Sequence, residues 1–124
     1  IFDGNFGAPD PCGSSDPFVR RGWLRTMDGT VTYFSVNGGA TSARGINDSG
    51  TIAGFVNDPG SGLFKGFVVE LDGSQCQSFT IADADLLHFP GAVLTVLEGI
   101  KNSGEVVGSY DDGSTEFGFI ARPQ

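Results

Sequence analysis

The segment GINDSGTIAG at 45 to 54 returns as GIKNSGEVVG at 99 to 108. Gly45, Ile46, Ser49, Gly50 and Gly54 recur as Gly99, Ile100, Ser103, Gly104 and Gly108, five identities in ten positions. No other feature of the chain constrains its fold as strongly. A repeating unit is one supersecondary element that cannot bury its apolar face alone, so copies must stack on one another.

A second module recurs three times: RGWLRTMDG at 21 to 29, KGFVVELDG at 65 to 73 and FGFIARPQ at 117 to 124. Each carries Gly, then an aromatic, then an aliphatic residue. Between them lie TYFSVNGGA at 32 to 40 and QSFTIADADLLHFPGA at 77 to 92, the latter with an insertion around Ala82 to His88. In NDSG and KNSG the Asn and Asp side chains bond their own backbone and Gly supplies a positive φ, so both read as hairpin turns. Met27-Asp28-Gly29-Thr30 and Leu71-Asp72-Gly73-Ser74 give a second hairpin signal. Gly54 and Gly108 fall inside the following strands, where glycine marks a bulge or the close approach of another backbone.

The fold class expected is all-β, with one four-stranded antiparallel meander per repeat of about 45 to 54 residues, the size of a β-propeller blade. Residues 1 to 17 form an irregular N-terminal segment. Residues 18 to 124 form a single repeat domain: a partial repeat over 18–40, a full one over 41–92 and a partial one over 93–124. About nine strands result. Since a propeller needs at least roughly four blades, they cannot close one. The repeats then belong to a longer array or to a ring of several chains, or the nine strands make a small antiparallel barrel or sandwich. The 20 glycines among 124 residues suit short strands and tight turns.

Seven Lys and Arg against fifteen Asp and Glu give a net charge of −8, which repels phosphate backbones and anionic headgroups, so nucleic acid is not an expected partner. No stretch approaches the ~20 apolar residues of a spanning helix. The sequence starts at Ile1 without a basic or apolar leader, as a processed product or a fragment does. Cys12 and Cys76 are either one disulfide or two reduced thiols packed as small hydrophobes. Acidity, low lysine content and Gly/Ser/Asp turns favour the disulfide and a secreted, periplasmic or cell-surface location.

The core GIN-x-x-G-x-I-x-G, then x-G-F-[LV], a DG turn and a PGA-like segment, resembles the bacterial extracellular repeat called HAF. The matching residues are Gly45, Ile46, Asn47, Gly50, Ile52 and Gly54, then Gly66, Phe67, Val68, Asp72 and Gly73, then Pro90, Gly91 and Ala92. The final repeat departs from it with Lys101 in place of Asn and Phe117 where His is frequent. The resemblance implies an exported protein with propeller-like repeats and transfers no catalytic residue.

Candidate chemistry is sparse. His88 is the one histidine, too few for a multi-His metal site, and reads as a surface residue. Asp83 and Asp85 lack the spacing of an EF-hand loop. Asp48, Asp58, Asp111 and Asp112, with Asn57 and Asn102, are oxygen donors that a Ca²⁺ ion would accept. Asp and Asn are also the best turn formers, and the turn reading is preferred, with no cofactor expected. A glycosidase needs two carboxylates about 5 to 10 Å apart, and Glu70, Glu98, Glu105 and Glu116 cannot be paired from sequence. Phe55, Phe67, Phe79, Phe117 and Phe119 read as core, and Trp23 shares the repeat position of Phe67 and Phe119. Tyr33 and Tyr110 have polar tips suited to a groove. The expected function is a non-enzymatic extracellular binding or structural module that self-associates through open strand edges or docks into a larger complex, with a glycan as a candidate ligand. The alternative is a polysaccharide hydrolase with acidic residues in a cleft between repeats.

Overall fold

Turn chemistry sets the strands. In the computed structural model, which describes residues 2–5, 12, 20–71, 74–79 and 85–122, Gly29, Gly50 and Gly104 adopt φ of 92°, 83° and 89° at the ends of three like turns. In each, the glycine N–H donates to the carbonyl three residues earlier: Thr26, Asn47 or Lys101. The strands are β1 (Phe2–Asn5), β2 (Arg20–Arg25), β3 (Val31–Val36), β4 (Ala40–Ile46), β5 (Thr51–Asn57), β6 (Phe64–Glu70), β7 (Cys76–Phe79), β8 (Asp85–Leu87), β9 (Leu94–Ile100), β10 (Val106–Asp111) and β11 (Glu116–Ala121). Nine of them are those expected from the repeat. The short β1 and β8 are additional, one in the lead-in and one in the insertion.

The described residues contain no helix. They form two mixed sheets, neither closed into a barrel, ordered β1-β2-β3-β7 and β11-β10-β9-β6-β5-β4, with β8 also paired to β6. Within the larger sheet, β4-β5-β6 and β9-β10-β11 are two antiparallel meanders joined by a single parallel pair, Phe64 with Leu94. No helix among the described residues is long and apolar enough to cross a membrane.

Alternation along β5 explains the packing. Ile52 and Val56 enter one apolar cluster with Phe34 and Val36 of β3, Ala43 of β4, and Phe67 and Val69 of β6. Ala53 points the other way, into a cluster with Leu97 of β9 and Val106 of β10. The β4–β6 meander is therefore covered on both faces, by the first sheet and by β9–β11, giving three stacked layers. Phe34 and Phe67, both fully buried, meet edge to face with centroids 5.9 Å apart and tie the first layer to the second. Each such side chain contributes roughly 1.5 to 3 kcal/mol through burial.

Both strand glycines sit at bulges. Gly54 pairs with Ala43 and Ala53 with Gly45, so Arg44 is passed over; Gly108 pairs with Leu97 and Val107 with Gly99, so Glu98 is passed over. A Cβ on Gly54 would lie 2.0 Å from the Ser42 carbonyl oxygen, and one on Gly108 2.1 Å from that of Val96.

The expected four-stranded antiparallel meander needs correction. The fourth strand of the full repeat, β7, leaves β6 and runs parallel to β3, pairing Tyr33 with Cys76 and Val36 with Phe79. The Gln75 and Phe79 carbonyls accept hydrogen bonds from Tyr33 and Asn37 at 2.7 and 2.6 Å. Cys76 is bonded to Cys12, with Cα atoms 5.7 Å apart, and the Phe79 ring packs edge-on to Phe34. These contacts hold β7 at the first sheet. The vacated side of β6 takes β8, with Phe67 opposite Leu86.

Candidate functional site

Two features bring chemistry-bearing residues together, and both lie where repeats meet. The first is the seam between equivalent turns. Asn47 Nδ2 donates to the Lys101 carbonyl at 3.1 Å, and the Asp48 N–H donates to Asn102 Oδ1 at 2.7 Å. Asn102 Nδ2 in return donates to Asp48 Oδ2 at 2.8 Å. Beneath them a Cβ on Gly45 would meet Gly99 Cα at 3.0 Å. Each contact joins a residue to its counterpart 54 positions on. Asn47 is engaged further, its Oδ1 accepting from the N–H groups of Ser49 and Thr51 at 3.0 Å. Beside the seam, Lys101 and Arg122 hold Glu105 from two sides at 3.1 and 2.8 Å, and the Arg122 hydrogen bond lowers its carboxyl pKa.

The second feature is a groove of about 320 Å³ between the first and middle layers. The β2–β3 hairpin contributes Leu24, Thr26, Thr30 and Thr32, while Ser49, Gly50, Glu70 and Leu71 come from the middle repeat. Its wall carries four hydroxyls and one carboxylate over two leucines. Thr51 Oγ1 donates to Glu70 at 3.4 Å, orienting that carboxylate. Between Thr26 and Thr30 the Asp28 carboxylate accepts from the Thr26 hydroxyl and the Thr30 N–H, bonds that lower its pKa to about 2.

The aspartates singled out by sequence do not converge. Asp58, in the 58–63 loop, is buried and accepts from Asn37 Nδ2 at 2.8 Å, Ser61 Oγ at 2.9 Å and Lys65 Nζ at 2.9 Å. The Lys65 hydrogen bond, opposed by burial, lowers its pKa to about 2. Asp111 and Asp112 bond N–H groups of their own turn, at Gly113, Ser114 and Thr115. Those bonds, first among them Ser114, lower the Asp112 pKa. Among the described residues no three His, Cys, Asp or Glu side chains are grouped as for a metal ion. Asp83 lies outside the described residues, as does the centre of the Leu71-Asp72-Gly73-Ser74 turn; Asp85 is placed on β8. His88 is exposed in the loop after β8.

The aromatic residues divide. Phe67 is fully buried, and Phe79 and Phe119 pack against the two clusters. Phe55 is not core: it faces Phe64 at 6.0 Å and carries the Arg44 guanidinium 5.1 Å from its centroid. Phe117 is 40% exposed and stacks on Tyr110 at 5.1 Å; Tyr110 stacks in turn on Phe89 at 4.3 Å. The Tyr110 ring thus packs among Phe89, Phe117 and Phe119. The groove itself was missed in the sequence because the position of Thr26 changes to Glu70 and Arg122 in the later copies of its module. The alternating Thr26, Thr30 and Thr32 around a DG turn were the available signal. Comparison of the chain with protein-family models, curated proteins and solved structures returns no match.

Proposed function

We propose that the chain is a non-enzymatic extracellular module of HAF-type, propeller-like repeats that assembles with itself or docks as a subunit of a larger complex. One observation carries this reading: equivalent residues of successive repeats contact one another in the same sense, Asn47 to Lys101 and Asp48 to Asn102, each 54 positions apart. In both bonds the earlier repeat gives the donor and the later one the acceptor, a heterologous contact of the kind that further layers extend. The Cys12–Cys76 bond supports an oxidising compartment. Light scattering across a concentration series tests the proposal. A mass above the 12.9 kDa monomer is expected, and the monomer mass at every concentration would overturn self-assembly.

The groove favours a glycan as the ligand of such a module. Hydroxyls of Thr26, Thr30, Thr32 and Ser49 and the Glu70 carboxylate offer hydrogen bonds to sugar hydroxyls, and Leu24 and Leu71 offer apolar contact. Among the described lining residues Glu70 is the one carboxylate, which supports binding over the hydrolase alternative, since glycoside cleavage uses two. A glycan array followed by Glu70→Ala on any hit tests this; no hit, or a hit untouched by the substitution, removes it.

A further inference from the structure

The wall of the groove between the first and middle layers is biased toward acceptors. The Thr26 hydroxyl has one hydrogen to give and donates it within its own hairpin, to the Asp28 carboxylate, so what it presents to a ligand is lone pairs. From the middle repeat, Glu70 Oε1 accepts from the Thr51 hydroxyl, which orients the carboxylate and leaves Oε2 to a ligand. Charge has the same sense. Thr26 and the Thr30 N–H hold Asp28 ionised one hydrogen bond from the wall, and Glu70 adds a second negative group. All seven Lys and Arg are among the described residues, and none lines the groove. Lys65 is held by Asp58, Lys101 and Arg122 by Glu105, and Arg44 lies over Phe55. Arg25 falls between the lining residues Leu24 and Thr26, so strand alternation turns it to the other face.

On the reading that this groove binds a glycan, we infer that its ligand is an amino sugar whose amine is free and protonated. An ammonium group carries three donors and no acceptor, the complement of a wall that offers lone pairs and negative charge. An N-acetylated sugar has lost that charge and brings a carbonyl acceptor, for which Thr26 and Glu70 hold no hydrogen. A uronic acid or a sulfated sugar sets its anion against Glu70, with no Lys, Arg or His among the described lining residues to receive it. The volume of about 320 Å³ is at the low end for small-ligand sites and suits roughly one or two sugar rings lying over Leu24 and Leu71.

Titration calorimetry at about pH 6, where a sugar amine is protonated, compares disaccharides of one linkage built from glucosamine, from N-acetylglucosamine and from glucose. The wild type should bind the glucosamine disaccharide about tenfold more tightly than the other two, through a charge-assisted hydrogen bond to Glu70. Glu70→Gln keeps an acceptor for the Thr51 hydroxyl and loses the charge, so it should bring the glucosamine disaccharide down to the level of the others, with circular dichroism checking its fold. Glu116→Gln removes an exposed carboxylate from β11 and should leave the preference intact. A preference lost equally in both variants would belong to the net charge of the chain and overturns the assignment to the groove. Equal binding of all three sugars, or a preference that survives Glu70→Gln, overturns the amine and leaves the glycan reading standing. Binding of none of the three overturns the amine as well, and a glycan array without a hit then removes the glycan reading with it.

Discussion

Asp48 and Asn102 hold each other twice, through the Asp48 N–H to Asn102 Oδ1 at 2.7 Å and through Asn102 Nδ2 to Asp48 Oδ2 at 2.8 Å. They are the same position of two successive repeats. Asn102→Ala removes both bonds, whereas Asp48→Ala keeps its backbone donor and removes one. With each exposed bond contributing about 0.5 to 1 kcal/mol, Asn102→Ala should cost about 1 to 2 kcal/mol and Asp48→Ala less. Urea midpoints for the two variants check the order, and the reverse order would show that the seam does not work through these bonds.

Gly54 and Gly108 are predicted to be the least replaceable residues of the repeat. At both, a Cβ falls about 2 Å from a carbonyl oxygen of the paired strand, and the bulge leaves that backbone nowhere to retreat. Gly54→Ala and Gly108→Ala should each cost about 3 kcal/mol or more. Gly118→Ala is the control: its nearest neighbour is 4.0 Å away, and a change within about 0.5 kcal/mol is expected. Equal stability of all three in urea unfolding would contradict the bulge geometry.

These glycines also mark how far sequence reading reached. Gly50 and Gly104 in turns, and Gly54 and Gly108 at bulges, were legible because φ > 0 and close backbone approach are demands that only glycine meets cheaply. The transfer of β7 to β3 was not, since it depends on partners distant in sequence: Cys12, Phe34 and the amides of Tyr33 and Asn37. Phe34 was overlooked and Phe117 counted as core for one reason. Strand alternation states which residues share a face, but the number of layers states which face is covered, and an end layer leaves one face open. The seam was half legible: the turns were identified, and that equivalent turns touch each other was not.

Reduction of the Cys12–Cys76 bond should loosen the first sheet more than the stack behind it. The bond spans 64 residues, and in the chain-entropy account closing such a loop stabilises by about 4 kcal/mol. For a domain of this size that is about 15 °C in thermal midpoint. Hydrogen exchange should show Tyr33 and Asn37, which donate to the Gln75 and Phe79 carbonyls, losing protection on reduction while the amides shared by β5 and β6 keep theirs. Uniform loss across both regions would show that β7 is not anchored separately.

Acid should unfold the protein partly through Asp58. Its carboxyl titrates at about 2 in the folded chain against 3.8 ordinarily, chiefly because Lys65 donates to it at 2.9 Å. A folded pKa below the unfolded one means that the stabilisation is present above pH ~4 and drains away as pH falls from about 4 to about 2. Asp28, Glu105 and Asp112 are also lowered and contribute their own slopes, so the Asp58 share is read as a difference. Urea midpoints of the wild type and Asp58→Asn at pH 5, 4, 3 and 2 provide it. The wild type should lose on the order of 2 kcal/mol more than Asp58→Asn over that span. Asn has no proton to take up, so parallel slopes would mean that Lys65 does not hold the Asp58 charge in the folded state.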